Sequence, residues 1–266
     1  MQLSLFQLLI LAVVQGITEF LPISSDGHLV VLSALMLGGD QEALDKFIEV
    51  NIVLHIGTLF SILVYYWAHV WRLLREDRRV IGMLVVGTLP AVMLGLPIRE
   101  FWPEMLSNPL LAGIMLPVTG LLLIIASKFQ SGEREYTALK YWQVGLIGCA
   151  QALAILPGLS RSGTTITSGL VLGLSPRSAA TFSFLLALPA IAGAGLLETI
   201  KMSRGTTIET PISHLVLAAL VSFGVGLVSI TLLMRMLQRG KLYYFAWWCI
   251  PLGVAVVVWQ LGWARG

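Results

Sequence analysis

Ten apolar runs separated by short polar breaks constrain this chain more than any other feature of its sequence. A helix that spans a bilayer needs roughly 20 apolar residues. The runs that begin at positions 47, 109, 181, 213 and 242 reach that length, and the run at 80 nearly does. In order, the ten runs lie near residues 3–22, 28–38, 47–69, 80–97, 109–128, 141–156, 164–174, 181–200, 213–237 and 242–264.

The composition agrees with a bilayer as the solvent. Hydrophobic residues make up 57% of the chain and charged residues 12%, with a mean hydropathy of +0.86, which leaves too little polar surface for a water-soluble globule. The net charge of +3 is scattered between apolar runs, so nucleic-acid binding, which needs a clustered basic face, is not expected. Cys149 and Cys249 lack metal-ligand or CxxC spacing, and neither a disulfide nor a zinc site is expected.

We therefore expect an all-α polytopic membrane protein that forms a single domain over residues 1–266. The first run has no basic start and no small-residue cleavage site, so it should stay in the mature protein. The basic stretch from Arg72 to Arg79 is expected to be a solvated cytoplasmic loop.

Two of the runs, 28–38 and 164–174, are too short to cross a bilayer, and each follows a break rich in Pro, Gly and Ser. This pattern predicts the tips of two re-entrant helical hairpins. The breaks read Pro22-Ile23-Ser24-Ser25-Asp26-Gly27-His28 and Pro157-Gly158-Leu159-Ser160-Arg161-Ser162-Gly163-Thr164.

A weak internal repeat supports the hairpins. With one repeat over about 1–130 and another over about 137–266, each half would hold one hairpin and three spans, so the second half would be inverted. Broken helices of inverted repeats usually meet near the midplane and form a site there. The alternative, ten full spans, would place the two breaks on opposite faces of the membrane. A shift of 136 residues aligns Gln15 with Gln151, Ser24 with Ser160 and Gly27 with Gly163.

The loop charges predict the orientation. When successive loops are assigned to alternate sides of the membrane, eleven basic residues fall on one side and five on the other. The side with more basic residues is expected to face the cytoplasm. Both termini and the opening of the first hairpin would then face outwards. The eleven are Arg72, Arg75, Arg78, Arg79, Lys128, Arg134, Lys140, Arg177, Arg235, Arg239 and Lys241, and the five are Lys46, Arg99, Lys201, Arg204 and Arg265.

Ionisable residues within a membrane are functional candidates by default, because unpaired charges are costly there. Those at the two breaks are Glu19, Asp26, His28 and Arg161, while Glu49, His55 and Glu198 fall within or at the edge of presumed spans. The inference of a functional site rests mainly on the first four, because these ionisable residues coincide with the helix breaks. His55 is equally consistent with a bond to a neighbouring helix, and Trp247 and Trp248 are expected to be interface anchors.

Together the two tips would form an anion-binding site, with the N-terminus of the helix that follows each tip directed at it. Arg161 offers a planar fork of donors for phosphate. Gln15 and Glu19, one turn apart, would hold a divalent cation or position water, and His28 would serve as nucleophile, base or acid. This set suits phosphoryl transfer, although buried serines also simply join helices. The expected phosphate-binding residues are Ser24, Gly27, Ser160, Ser162, Gly163 and Thr165, with Ser25 adjacent.

In these stretches the chain resembles the undecaprenyl pyrophosphate phosphatases, also called bacitracin resistance proteins. A third part of the family pattern is the stretch from Phe47 to Gly57, which contains Glu49. The resemblance covers most of the chain, and its two main stretches are Gln15-Gly16-Ile17-Thr18-Glu19-Phe20-Leu21-Pro22-Ile23-Ser24-Ser25-Asp26-Gly27-His28 and Leu156-Pro157-Gly158-Leu159-Ser160-Arg161-Ser162-Gly163-Thr164-Thr165.

The resemblance implies hydrolysis of undecaprenyl diphosphate to the monophosphate and inorganic phosphate, which recycles the lipid carrier for cell-wall polymers and confers bacitracin resistance. It also implies inverted repeats with re-entrant hairpins. By matched position, the active-site residues are Glu19, Ser25, His28 and Arg161, and either Ser25 or His28 attacks phosphorus. Gln15 and Glu19 match an acidic motif linked to dependence on Mg²⁺ or Ca²⁺.

Two positions depart from the family pattern. Gln15 stands where many members have Glu, which keeps an oxygen ligand and removes a charge. Asp26 stands where a small hydroxyl residue is usual, and a carboxylate beside a diphosphate should repel it unless a cation lies between. The hypothesis that follows is that Asp26 belongs to the metal site together with Gln15 and Glu19.

The expected partners are the bilayer and a polyprenyl diphosphate lipid whose tail enters from the outer leaflet, and a homodimer is left open. The expected location is the bacterial inner membrane, with the site open to the periplasmic side. Two rival functions remain. Inverted repeats are usual in secondary transporters and flippases, and Asp26 is compatible with a polyprenyl-phosphate binder that has lost catalysis.

Overall fold

The computed structural model describes residues 4–37, 41–203 and 210–263. Within these ranges the side chains of residues 37, 41–49, 198, 201–203 and 263 are not described. Glu49 and Glu198, two acidic residues predicted in or beside spans, therefore lie outside the described side chains. All residues predicted at the two breaks lie inside them.

The described part of the chain is almost entirely helical and contains no β-strand, as the all-α prediction requires. Three short 3₁₀ turns accompany the α-helices. These helices are α1 (Leu5–Thr18), α2 (Ser25–Leu37), α3 (Gln41–Tyr65), α4 (Trp67–Glu76), α5 (Arg78–Phe101), α6 (Pro103–Leu106), α7 (Pro109–Ala126), α8 (Tyr141–Leu153), α9 (Arg161–Val171), α10 (Pro176–Ser203), α11 (Ile212–Gln238) and α12 (Ala246–Trp263).

Five of the described helices, α5, α7, α10, α11 and α12, are long and apolar enough to cross a membrane. A sixth span is formed if α3 and α4 are taken together. The chain is therefore a multi-pass membrane protein, with helices of spanning length at five of the six positions that run length predicted and a bent pair of helices at the sixth. The short helices α1 and α2 are apolar but fall below spanning length.

The sequence prediction of one continuous helix over 47–69 is wrong. The chain bends by 75° between α3 and α4, at Tyr66, whose ring is buried against Phe184 and whose hydroxyl lies 3.7 Å from the sulfur of Met234. The apolar run continues through Tyr66, so hydropathy gives no sign of the bend. The predicted loop from Arg72 to Arg79 is likewise helical, except at Asp77 between α4 and α5.

Glycines allow the spans to approach closely. A Cβ atom on Gly253 of α12 would lie 2.6 Å from the carbonyl oxygen of Gly113 on α7, and one on Gly148 of α8 would lie 2.5 Å from that of Gly87 on α5. Small residues at helix contacts let backbones pack directly, which is the main source of attraction between helices in lipid. These contacts fix the scaffold around the two short hairpins.

The two hairpins are α1 with α2 and α8 with α9, and their connecting turns meet. The Ser24 hydroxyl accepts a hydrogen bond from the Gly158 amide at 3.1 Å. A Cβ on Gly27 would lie only 2.7 Å from the Gly158 Cα, so the two backbones touch where Gly27 has no side chain. The predicted meeting of the tips is therefore present, whereas ten full spans would have separated them.

Candidate active site at the meeting of two hairpin turns

Glu19 is the centre of a polar network at the end of α1. The residue is 5% exposed. Its Oε2 accepts hydrogen bonds from Gln15 Nε2 at 3.0 Å and from Ser25 Oγ at 2.7 Å, and its Oε1 pairs with Arg161 Nη2. Because Arg161 begins α9, this ion pair connects the two hairpins through two of the side chains that the sequence predicted to be functional.

Arg161 retains an unused donor. Its Nη1 atom is buried and has no hydrogen-bond partner among the described residues, although a buried donor without a partner is costly. A guanidinium that pairs with a carboxylate on one side and offers a second nitrogen suits an anionic ligand such as phosphate. The N-termini of α2 and α9 lie at the same place, and helix N-termini also favour anions.

Ser24 has a strained backbone that shapes the first turn. Its φ of 72° lies in the left-handed region, the one such case among the described non-glycine residues, at a cost of roughly 1–2 kcal/mol. Its hydroxyl also accepts from the Gly27 amide at 3.2 Å, which starts α2. Strain of this kind is typical of functional sites, and here it turns Ser25 towards Glu19.

His28 is fixed by bonds to both of its ring nitrogens. Its Nδ1 lies 2.7 Å from the Ser24 carbonyl oxygen, which only accepts, so Nδ1 carries the hydrogen. Its Nε2 then accepts from the indole Nε1 of Trp248 at 2.8 Å, and the two rings are nearly parallel at 8°. The lone pair of His28 is therefore engaged by Trp248, while Ser25 contacts Glu19.

Asp26 pairs with a histidine from another helix. His55, on α3, places Nε2 3.8 Å from Asp26 Oδ1 and 3.6 Å from Glu19 Oε2. The Asp26 side chain is 49% exposed and that of Glu19 3% exposed. Of the two acidic residues at the first turn, Asp26 is thus the one accessible to a ligand.

The second turn is held mainly by hydroxyl groups. Thr119 on α7 donates to the Gly158 carbonyl at 2.8 Å and accepts from the Ser160 amide at 2.9 Å. The Ser160 hydroxyl accepts from the Gly163 amide at 3.0 Å and lies 3.2 Å from that of Ser162.

Thr165, the remaining predicted phosphate-binding residue, lies deeper in the fold. Its hydroxyl bonds to the Arg161 carbonyl at 2.8 Å and to the Ser183 hydroxyl at 2.6 Å. The residue is 2% exposed. The geometry therefore gives Thr165 a role in holding α9 against α10 and supporting Arg161.

The oxygen atoms near the first turn suit a divalent cation only in combination with a ligand. The described residues contain no group of three or more His, Cys, Asp or Glu side chains able to hold a metal. Gln15 Oε1 is buried and unpartnered among the described groups, and Asp26 is accessible. Because Mg²⁺ is often held by one or two carboxylates plus phosphate oxygens, these residues fit a cation that arrives with a phosphorylated substrate.

Sequence reasoning missed two residues of the site and left a third open. Trp248 was expected to be an interface anchor and Thr119 was not considered, while His55 was a functional candidate with a bond to a neighbouring helix as the alternative. The ionisable ring of His55 within an apolar run was the available signal. Nothing local marks Trp248 or Thr119, because both reach the turns from distant helices.

Comparison with known proteins agrees with these motifs. Residues 8–255 match the family described as Bacitracin resistance protein BacA. The chain belongs to this family. A member from Rhodopirellula baltica named undecaprenyl-diphosphatase is 50% identical over 97% of this chain and 99% of its own length. Members with the same name from Halothermothrix orenii and Syntrophotalea carbinolica are 35% and 36% identical, over 96% and 94% of this chain and 98% and 97% of theirs.

Proposed function

We propose that this chain hydrolyses undecaprenyl diphosphate to undecaprenyl phosphate and inorganic phosphate, the activity that gives its relatives their name. The observation that carries the proposal is the buried network of Ser25, Glu19 and Arg161, where the two hairpin turns meet. The network combines the Ser25 hydroxyl, the Glu19 carboxylate that accepts a hydrogen bond from it, and the Arg161 guanidinium, which has an unused donor. Phosphoryl transfer depends on such positioning and on neutralising negative charge.

In the proposed mechanism Ser25 is the nucleophile. Its Oγ attacks the terminal phosphorus while Glu19 accepts the hydroxyl proton, and the bond from phosphorus to the bridging oxygen breaks, releasing undecaprenyl phosphate. Arg161 Nη1 donates to the oxygens of the transferred group. Water then attacks the phosphorus of the phosphoserine, Glu19 returns its proton to Ser25 Oγ as the bond from phosphorus to Oγ breaks, and inorganic phosphate is released. The contact between Ser25 and Glu19 at 2.7 Å favours Ser25 over His28, whose lone pair accepts from Trp248.

A divalent cation, Mg²⁺ or Ca²⁺, is part of the proposal. Asp26 and Gln15 would hold it together with the substrate diphosphate. Glu19 was also expected to bind it, but its Oε2 already accepts from Gln15 and Ser25, so we assign Asp26 the larger share. When bound, such a cation supplies positive charge to the phosphate oxygens.

We further propose two repeats of inverted topology with re-entrant hairpins. Exchanging the halves pairs α1 with α8, α2 with α9, α3 with α10, α5 with α11 and α7 with α12. Under this exchange, the packing of α1 on α11 becomes that of α8 on α5, and α3 on α11 becomes α10 on α5. The pairs α7 with α12 and α3 with α10 map onto themselves. With three spans in each half, the second half is inverted.

The proposed location is the bacterial inner membrane, with the site open to the periplasmic side. Basic residues are more frequent on the opposite face, which supports this orientation. Single cysteines at the exposed positions Glu76 and Glu104, in a chain with Cys149 and Cys249 replaced by Ser, test it. An impermeant maleimide added to intact spheroplasts should label position 104 and leave 76 unlabelled. The reverse pattern would refute the orientation.

Phosphate release from undecaprenyl diphosphate by the detergent-solubilised protein tests the function. A phosphatase turns over without a sealed membrane and should slow when a chelator removes the cation. A transporter would release no phosphate in detergent, and a polyprenyl-phosphate binder would bind the lipid without turnover. The Arg161→Ala variant is the negative control.

A further inference from the structure

The bend at Tyr66 changes the direction of the chain at the end of α3. This helix contains 25 residues, or about 37 Å of helix, which is enough to cross the hydrocarbon core without α4. The chain then turns by 75° into the 10 residues of α4. A turn of this size at the end of a crossing helix places the next helix close to the membrane plane. No residue of α4 belongs to the candidate active site.

Three stripes of residues, each spaced three or four positions apart, run along α4 and the residue before it. The first stripe packs on the protein, since Tyr66 and Leu73 are buried and Val70 packs against the core. The second stripe is apolar and exposed, and the third is basic and exposed. A helix in the membrane plane can direct such stripes at the protein, the acyl chains and the headgroups. The apolar stripe consists of Trp67, Trp71 and Leu74, and the basic stripe of Arg72 and Arg75 with Ala68.

Ring contacts join the apolar stripe to the basic stripe. The rings of Trp67 and Trp71 stack with centroids 5.3 Å apart, and the guanidinium of Arg75 lies over the Trp71 ring, 4.3 Å from its centroid. Tryptophan favours the level between acyl chains and headgroups, and its ring face attracts a cation. Because the N–H groups of a guanidinium lie in its plane, stacking leaves them available to a phosphate.

Arg79, one turn beyond Arg75, has a different role. Its Nη1 donates to the carbonyl oxygen of Thr137 at 2.7 Å, and its Nη2 donates to that of Leu139 at 2.8 Å. These bonds attach the start of α5 to the loop before α8. The basic stretch from Arg72 to Arg79 therefore contains an arginine that supports the fold as well as the two exposed ones on α4.

We infer that α4 is an interfacial helix and that anionic phospholipids cover its exposed side. Their acyl chains contact Trp71 and Leu74, and their phosphates accept hydrogen bonds from Arg72 and Arg75. The apolar stripe alone would accept any lipid. The basic stripe makes the surface selective, because each basic residue near a membrane surface strengthens the attraction to anionic lipid by about fivefold in affinity.

The position of α4 is tested with nitroxide labels at single cysteines that replace Leu74 or Glu76, in a chain with Cys149 and Cys249 replaced by Ser. Glu76 is exposed and lies outside the apolar stripe. In vesicles of phosphatidylcholine and phosphatidylglycerol, the label at 74 should collide with dissolved oxygen and the label at 76 with a water-soluble nickel chelate. Equal access of the chelate to both labels would place α4 in water and overturn the inference. Spin–spin broadening at 74, with protection from both reagents, would overturn it in favour of a second copy of the chain.

The lipid preference is tested with a bimane fluorophore at position 74 of the same chain in phosphatidylcholine vesicles. Quenching by nitroxide-labelled phosphatidylglycerol or phosphatidylcholine gives the relative affinity of the two lipids for this surface. The Arg72→Gln, Arg75→Gln double variant should lower the relative affinity for phosphatidylglycerol by about fivefold or more. The Lys128→Gln, Lys140→Gln variant removes the same charge from exposed positions outside α4 and should leave it nearly unchanged.

Two results of the quenching experiment would contradict the inference. One is equal affinity of the two lipids for the unsubstituted surface, and the other is an equal loss in the arginine and lysine double variants, which would reflect net charge alone. Elution volume and Tm report whether each variant is folded. Both arginines are exposed, so the fold should tolerate their replacement.

Discussion

The hydroxyl of Ser24 accepts the amide hydrogen of Gly158 across 134 residues of chain, at 3.1 Å. This bond and the backbone contact beside it bring the two hairpin turns together. The contact depends on Gly27, because a Cβ there would lie 2.7 Å from Gly158 Cα, closer than carbon atoms approach. The short distance between the hairpin turns thus depends on the absence of a side chain at Gly27.

The Gly27→Ala variant should therefore separate the turns. The two nearest atoms belong to the backbone of Gly158 and cannot rotate away, so we expect a loss of phosphate release of about 10²-fold or more and a lower Tm. Gly145→Ala, on α8 of the second hairpin, is the control, since nothing lies within 4 Å of its added Cβ. That helical substitution should preserve activity and raise stability by up to about 1 kcal/mol. Equal behaviour of the two variants would refute the close contact.

Ser25 and Ser33 offer a matched test of the nucleophile, since both lie on α2. Ser25 donates to Glu19, whereas Ser33 is buried and donates to the carbonyl of Val30 in its own helix. We expect Ser25→Ala to lower kcat by at least about 10³-fold and Ser33→Ala to change it little. Trapping a phosphorylated peptide that contains Ser25 after rapid quenching would support covalent catalysis. A phosphorylated His28 instead would contradict the proposed assignment.

Arg161 and Glu19 should have separable effects on stability and activity. Replacing Arg161 by Gln leaves the buried Glu19 carboxylate without its ion-pair partner, and one-sided removal of such a pair costs about 3–5 kcal/mol. Adding Glu19→Gln should restore most of the Tm but no activity, because both chemical groups are then absent. Thermal unfolding in detergent and phosphate release, measured on the same samples, test this. A double variant as unstable as Arg161→Gln alone would argue against the pair.

Trp248 should protect His28 from chemical modification. Diethyl pyrocarbonate attacks the unprotonated nitrogen of an imidazole ring. In His28 this nitrogen is Nε2, whose lone pair accepts a hydrogen bond from the indole of Trp248. The Trp248→Phe variant retains an aromatic ring without the N–H, so modification of His28, followed by peptide mass spectrometry, should be faster. Trp247→Phe, at an adjacent and 76% exposed position, should leave the rate unchanged. Identical rates in all three proteins would show that the indole bond does not form in solution.

The sequence predicted the parts of this molecule that depend on local pattern. Run length located the spans because the bilayer requires a fixed number of apolar residues. The breaks at Ser24 and Ser160 were found because Pro, Gly and Ser interrupt helices. Glu19 and Arg161 stood out because charge is rare in such runs.

The parts that failed depend on contacts between distant elements. The bend at Tyr66 comes from packing on α10 and α11, which no local pattern encodes. Trp248 is an ordinary interfacial tryptophan by position, and its bond to His28 exists only because α12 packs beside the first hairpin. His55 was visible as an ionisable group, but its pairing with Asp26 requires the angle at which α3 passes the turn.

The pair of Glu19 and Arg161 also has a consequence for biosynthesis. The two residues are 142 positions apart, so the carboxylate leaves the ribosome well before the guanidinium is made. During that interval the first hairpin would hold an uncompensated charge, which the hydrocarbon core strongly disfavours. We therefore expect the first hairpin to reach its final depth only after the second is synthesised, and the candidate active site to be among the last parts of the protein to assemble.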